Sequence, residues 1–433
     1  MAKKAKRKWY NGPLFLTIIG LLGGAILSFV ATYYFSIREE RIETSKLETS
    51  IAYADQLLEE GMPQDSLVKY QELLVSVSKE KRPQLYAKIK RGEGLSYYYL
   101  AFDSNCEDYF KKAIASIGEA ASIFTIDKYP QEYAKTNGYL ANAFLAISEI
   151  RDKQNYLESA VSANEEALKV YNEKDYPVEY AKTKMNLGIN YESLSEISDK
   201  KLNLQKAIEC YNQAEKVFGS PEYHYELAIV KLNLANAYAG FSEIEDPASY
   251  LSLAIGRYQE ALKEFTIENY PLDYASIQLN MALAYESLYS TNNNPDDLLN
   301  ARSAYENALG IYTREKYPYD YGAIKINIAT VFLKMAEAGK EEFYDYSREA
   351  IEEALAVFTV DVYPRDYALA KITQGDYYYK FSLSGQADKK ENLDMAVGAY
   401  KEALKVFSEA TYPDDYAIIQ EKLALVYAEI EKQ

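Results

Sequence analysis

The chain has 433 residues, enough for two or three ordinary domains or one long array. Hydrophobic residues make up 48%, so a packed core is feasible along the whole length, and no stretch has the composition of a disordered segment. Lys and Arg total 48 against 65 Asp and Glu, a net charge of −17. That balance argues against nucleic acid, whose phosphates require a basic surface.

Residues 1–12 carry Lys3, Lys4, Lys6, Arg7 and Lys8 and no acid, which leaves the remainder of the chain at −22. An uncharged run extends from Pro13 to Ser36. At about 1.5 Å per residue it is long enough for a hydrocarbon core of about 30 Å. Trp9 and Tyr10 stand at one end and Tyr33 and Tyr34 at the other, as interfacial aromatics would. The reading is a basic cytoplasmic tail (1–12) and one transmembrane helix (13–36), a single-pass topology that places the rest of the chain outside the cytoplasm. A cleaved signal peptide is the rival; its apolar core would be shorter and succeeded by a small-x-small site. Gly20, Gly24 and Ser28 fall four apart, a spacing that permits close helix–helix approach and self-association.

Beyond residue 37 one motif recurs: Tyr-Pro-x-acid-Tyr-Ala. Its copies start at Tyr129, Tyr176, Tyr223, Tyr270, Tyr317, Tyr363 and Tyr412, in steps of 47, 47, 47, 47, 46 and 49. A degenerate copy starts at Arg82. Proline suits a first helical position, where a missing N–H is harmless, and it holds the preceding residue extended. The acid then falls on the third helical residue, beside free N–H groups: Glu132, Glu179, Glu226, Asp273, Asp320, Asp366 and Asp415. These carboxylates therefore have a structural explanation before any catalytic one.

Each predicted first helix continues with large–small–x–x–aromatic, as in Leu187-Gly188…Tyr191 and Leu234-Ala235…Tyr238. A second helix carries small–x3–large–x2–small, as in Ala207…Tyr211…Ala214 and Ala254…Tyr258…Ala261. In order and kind these positions resemble the tetratricopeptide repeat family over roughly residues 47–433. The resemblance implies an all-α, right-handed superhelical solenoid of antiparallel helix pairs that binds proteins or peptides on a concave face. The family repeat has 34 residues; most of these have 47, the extra length falling within each pair and between pairs, so the helices are expected to be longer and the linking turns more polar, as in Ser195–Asn203 and Thr291–Asp297. The segment 37–81 reads as a juxtamembrane helix and first short repeat, 82–411 as the lengthened repeats, and 412–433 as a capping helix.

Candidate functional residues are few. Asn186, Asn233, Asn280 and Asn327 recur 47 apart, each before the large packing residue. Stacked, they would form a ladder that grips a peptide backbone or bonds neighbouring repeats. One subgroup of the family clamps acidic C-terminal tails with lysine and asparagine. Here Met185, Leu232, Leu279 and Ile326 fill the place two before the packing residue, so no such lysine recurs with the asparagines. The lone His224 stands where other copies have proline, without a triad or metal partner in sequence. Cys106 and Cys210 are in no metal-ligand spacing and read as free thiols. In Tyr377-Tyr378-Tyr379 at least one ring is expected at the surface, since consecutive helical residues share no face. No phosphate loop, zinc motif or nucleophile elbow occurs. The expectation is a membrane-tethered interaction scaffold without cofactor or catalytic activity. Alternatives are an extracytoplasmic ligand or peptide sensor, and a self-assembling envelope component.

Overall fold

The computed structural model describes residues 37–104, 106–385 and 388–432, and all regular structure in them is helical. The predicted membrane helix, with Gly20, Gly24 and Ser28, lies outside the described residues. Among the described residues no helix is long and apolar enough to cross a membrane.

The helices form two compact units divided after Asp175. The first contains α1 (37–59), α2 (Pro63–Ser76), α3 (Pro83–Ser104), α4 (Glu107–Ala121), α5 (Pro130–Ser148) and α6 (Lys153–Leu168). The second contains α7 (Pro177–Ser195), α8 (Lys200–Phe218), α9 (His224–Ser242), α10 (Pro247–Ala261), α11 (Pro271–Asn292) and α12 (Pro295–Leu309). It continues with α13 (Pro318–Glu337), α14 (Phe343–Leu355), α15 (Pro364–Leu383), α16 (Lys389–Leu404) and α17 (Pro413–Ile430). Within each unit the helices pack as successive antiparallel pairs, each pair against the next.

Every Tyr-Pro motif except that at Tyr223 places tyrosine at the N-cap and proline at the first helical residue. At Tyr223 a short 3-10 turn, Pro221–Tyr223, precedes α9. The boundary tyrosine is also held from behind. A buried aromatic five residues earlier meets it edge-on: Phe124–Tyr129 (5.7 Å between centroids), Phe265–Tyr270 (5.5 Å), Phe358–Tyr363 (5.5 Å) and Phe407–Tyr412 (5.1 Å). Such pairs contribute about 0.5–1.5 kcal/mol beyond the area they bury.

The turns inside each pair are short. Within the span Ser195–Asn203 only 196–199 separate α7 from α8, and within Thr291–Asp297 only 293–294 separate α11 from α12. Most of the added residues extend the helices instead. The tight reversals use Asp and Asn, which tolerate left-handed backbone: Asp152 (φ 46°), Asp246 (φ 44°) and Asn293 (φ 55°). Side chains of Asp199, Asp246, Asn294 and Asp388 then accept from the first N–H groups of the next helix.

The second-helix tyrosines Tyr70, Tyr211, Tyr258, Tyr305 and Tyr400 are fully buried. Each ring passes under a small residue and donates its hydroxyl to a group on a first-type helix. Tyr211 reaches Glu192 (2.7 Å), Tyr258 reaches Asn236 (2.7 Å), Tyr305 reaches Glu286 (2.6 Å) and Tyr400 reaches Asp376 (2.6 Å); Tyr70 reaches Asp55. Gly92, Gly188 and Gly375 are required by this crossing. A Cβ there would stand 2.1–2.5 Å from the ring of Tyr70, Tyr211 or Tyr400.

The tyrosine triplet corrects the sequence expectation. Tyr377 is buried and Tyr378 and Tyr379 are half-buried; none is exposed. A helix in a stack has apolar neighbours on two sides. Tyr377 joins the core centred on α10–α14, Tyr379 joins the one between α15, α16 and α17, and Tyr378 touches both.

Candidate functional site: a groove of opposed charges

In the first unit the inner faces of α1, α3 and α5 line one groove of about 520 Å³. That is within the roughly 300–1,000 Å³ range of ligand sites. Helical periodicity aligns its walls. From α1 come Glu48, Ile51, Asp55, Leu58 and Glu59, at spacings that share one face. From α3 come Lys88, Arg91, Leu95 and Tyr99, and from α5 Glu132, Lys135 and Tyr139. Ile51, Leu58 and Leu95 add apolar side chains to the lining, and Tyr99 and Tyr139 aromatic rings.

Charge is distributed by wall. The α1 side carries three carboxylates. Helices α3 and α5 carry the cations Lys88, Arg91 and Lys135 and one carboxylate, Glu132, which is paired with Arg91. Its guanidinium, 9% exposed, donates to Glu132 and to Thr136 (3.0 Å) and lies over the Phe124 ring (5.4 Å). Asp55 accepts from the Tyr70 hydroxyl. Glu48, Glu59, Lys88 and Lys135 have no ion-pair partner among the described residues, although Lys135 lies 5.9 Å from the Tyr139 ring centre.

In the second unit the four periodic asparagines occupy equivalent half-buried places on α7, α9, α11 and α13. Asn280 Nδ2 donates to Asn236 Oδ1 of the preceding pair (3.4 Å), and the Nδ2 of Asn233 is buried without a partner.

Lysines do recur, one residue earlier than the clamp position: Lys90, Lys184, Lys231, Lys325 and Lys371. They serve their own helix pairs. Lys231 binds Glu260 (3.0 Å), Lys90 binds Glu93 (2.5 Å), Lys325 binds Glu353, and Lys184 and Lys371 lie 5.5 Å from the ring centres of Tyr180 and Tyr367. Glu353 and Glu166 also accept tyrosine hydroxyls, from Tyr321 (2.9 Å) and Tyr133, so these paired acids are more than solvated charge. His224 meets Glu264 (2.8 Å), and among the described residues Cys106 and Cys210 form no disulfide. Among the described residues no group of His, Cys, Asp and Glu has the arrangement of a metal site.

Sequence reasoning passed over the first-unit groove. Two signals could have found it. Lys88 and Lys135 stand 47 apart at one repeat position, and Arg91 fills the place that Met185 and Leu232 fill later. The α1 acids lie outside the 47-residue period and give no such signal.

No family model matches the chain, and comparison with curated proteins finds no relative. Solved structures do resemble it. The apo form of RapI superposes with a TM-score of 0.56 at 14% identity, covering 89% of this chain and 98% of that one. A signal-transduction ATPase with a tetratricopeptide repeat sensor from Pyrococcus horikoshii gives 0.54 at 14% identity, covering 88% of this chain and 55% of that one. The class is thereby defined: an all-helical solenoid of tetratricopeptide-like helix pairs.

Proposed function

We propose that this chain is a membrane-tethered interaction scaffold whose binding surface is the inner face of its helix pairs, with the first-unit groove as the primary site. The observation that carries the reading is the set of uncommitted charges there. Elsewhere this chain forms ion pairs between neighbouring helix pairs, such as Lys200–Glu243 (2.6 Å) and Lys380–Glu337 (2.6 Å). In the groove Lys88, Lys135, Glu48 and Glu59 have no ion-pair partner among the described residues and share the lining with Ile51, Leu58 and Leu95, a composition suited to a peptide or a protein segment. The half-buried asparagines of the second unit offer amide groups to a longer partner. Binding, rather than catalysis, fits a surface whose acids and tyrosines are otherwise engaged in holding helices together.

The tether rests on the sequence of residues 1–36: the basic start, the uncharged run and its flanking aromatics. It would hold the solenoid outside the cytoplasm, and the Gly20, Gly24 and Ser28 face would support pairing of anchors.

One preparation tests both halves. The full-length protein should sediment with membranes, resist carbonate extraction and be cleaved by protease added to intact cells. Partners co-purifying with the wild type in detergent should be lost from Lys88→Glu/Lys135→Glu, with the helical spectrum and thermal transition unchanged. Release by carbonate would overturn the tether; an unchanged partner set would overturn the groove.

A further inference from the structure

The groove's two walls differ in sign, and this narrows what it takes. We infer that its ligand is a short free peptide bound as a zwitterion, the N-terminal ammonium against the α1 carboxylates and the C-terminal carboxylate against Lys88 and Lys135. The inference rests on the groove being the binding site.

Three observations support it. First, Glu48, Asp55 and Glu59 project from one face of α1, and no cation of the described residues pairs with them. Secondly, Lys88 and Lys135 come from the equivalent position of two successive pairs and line the groove from α3 and α5, while Arg91 is bound to Glu132. Opposite charges sharing a groove this small would pair directly if they could reach; none lies within ion-pair distance across it. A dipolar guest that places its own charges at both ends satisfies both walls at once. Thirdly, Ile51, Leu58 and Leu95 between the charged rims offer apolar area to side chains between the termini. A purely anionic or cationic ligand leaves one wall without a partner.

The test uses the full-length protein in detergent micelles and two tetrapeptide libraries: one with free termini, one N-acetylated and C-amidated. Affinity selection with mass spectrometry ranks the binders. The best free peptides are then resynthesised with one cap at a time and titrated by calorimetry. Either cap should weaken binding about tenfold or more, the loss expected for a charge-assisted hydrogen bond. In Lys88→Met/Lys135→Met the free peptide should bind more weakly, and amidation should no longer matter while acetylation still does. In Glu48→Gln/Glu59→Gln the pattern should invert. Equal binding of capped and free peptides would overturn the zwitterion and leave a peptide groove standing. Absence of any peptide binding, with partner proteins still captured through the groove, would overturn the zwitterion alone. Loss of both would overturn the proposed function as well.

Discussion

Tyr305→Ala is expected to lower the free energy of opening helices α11 to α13 by about 3–5 kcal/mol, the range for truncating a buried aromatic. The ring is fully buried, so its removal leaves a cavity that the rigid helix pair only partly closes. The hydroxyl donates to Glu286 (2.6 Å), which also accepts from Lys334 of the next pair (3.1 Å). Truncation therefore also loosens the link between neighbouring pairs. Tyr305→Phe keeps the ring and removes only the hydroxyl, at about 1.5 kcal/mol. Val75, 90% exposed on α2, is the control, with an expected effect within about 0.5 kcal/mol for Val75→Ala. Native-state hydrogen exchange measures this best, because repeat arrays open locally and neighbours share the loss. Similar small losses for all three variants would show that the tyrosine column does not hold the array.

The second large effect depends on pH. Glu192 is pushed up to about 7, chiefly by burial; the Tyr211 hydroxyl opposes the shift and Glu196 adds to it. Its counterparts are better placed. Glu286 has Lys334, and Asp376 has Lys422 at 2.7 Å. The residue that corresponds to Lys334 one repeat beyond Glu192 is Gly240, which brings no charge. Between about 4.5 and about 7 the folded chain holds a proton that the unfolded chain has released. This contribution is fully present below about 4.5 and is lost as pH rises through about 7, on the order of 3 kcal/mol in all. Glu192→Gln, still able to accept from Tyr211, should abolish that slope and be the more stable form at pH 8. Gly240→Lys should reduce the slope by supplying the missing cation, and a Cβ there meets only Leu204 at ordinary contact (3.4 Å). Stability curves from pH 4 to 8 decide the matter. Parallel curves for wild type and Glu192→Gln would contradict the assignment.

The repeat boundaries were legible because the same physics acts at each copy. Tyr-Pro sets a helix start, the acid comes on the third residue, and Tyr211, Tyr258 and Tyr305 recur where one ring must fill one gap. Turn lengths were less legible. Polar residues such as Ser195 and Asn203 belong equally to a turn or to a solvated helix end, and only the Asp199 cap fixes the reversal. Tyr377–Tyr379 misled because a face-counting rule suits a surface helix and not one buried on two sides. The groove was hidden for a deeper reason. Periodicity reports what the repeats do alike, whereas Glu48, Asp55, Lys88 and Lys135 matter through what one end of the array does differently. The asparagine column was visible for the opposite reason, being a shared feature, and Asn280 bonds a neighbouring repeat.

The most direct measurement is site-specific photo-cross-linking in intact membranes from positions inside and outside the groove. A photoreactive residue in place of Tyr99 or Tyr139 reports the groove; one in place of Val75, 90% exposed on α2 and outside the groove lining, is the control. The expected result is adducts from Tyr99 and Tyr139 but not from Val75, lost when Lys88 and Lys135 are both changed to Glu. The same adducts from Val75, or none from the groove while a partner still co-purifies, would contradict the groove as the binding surface.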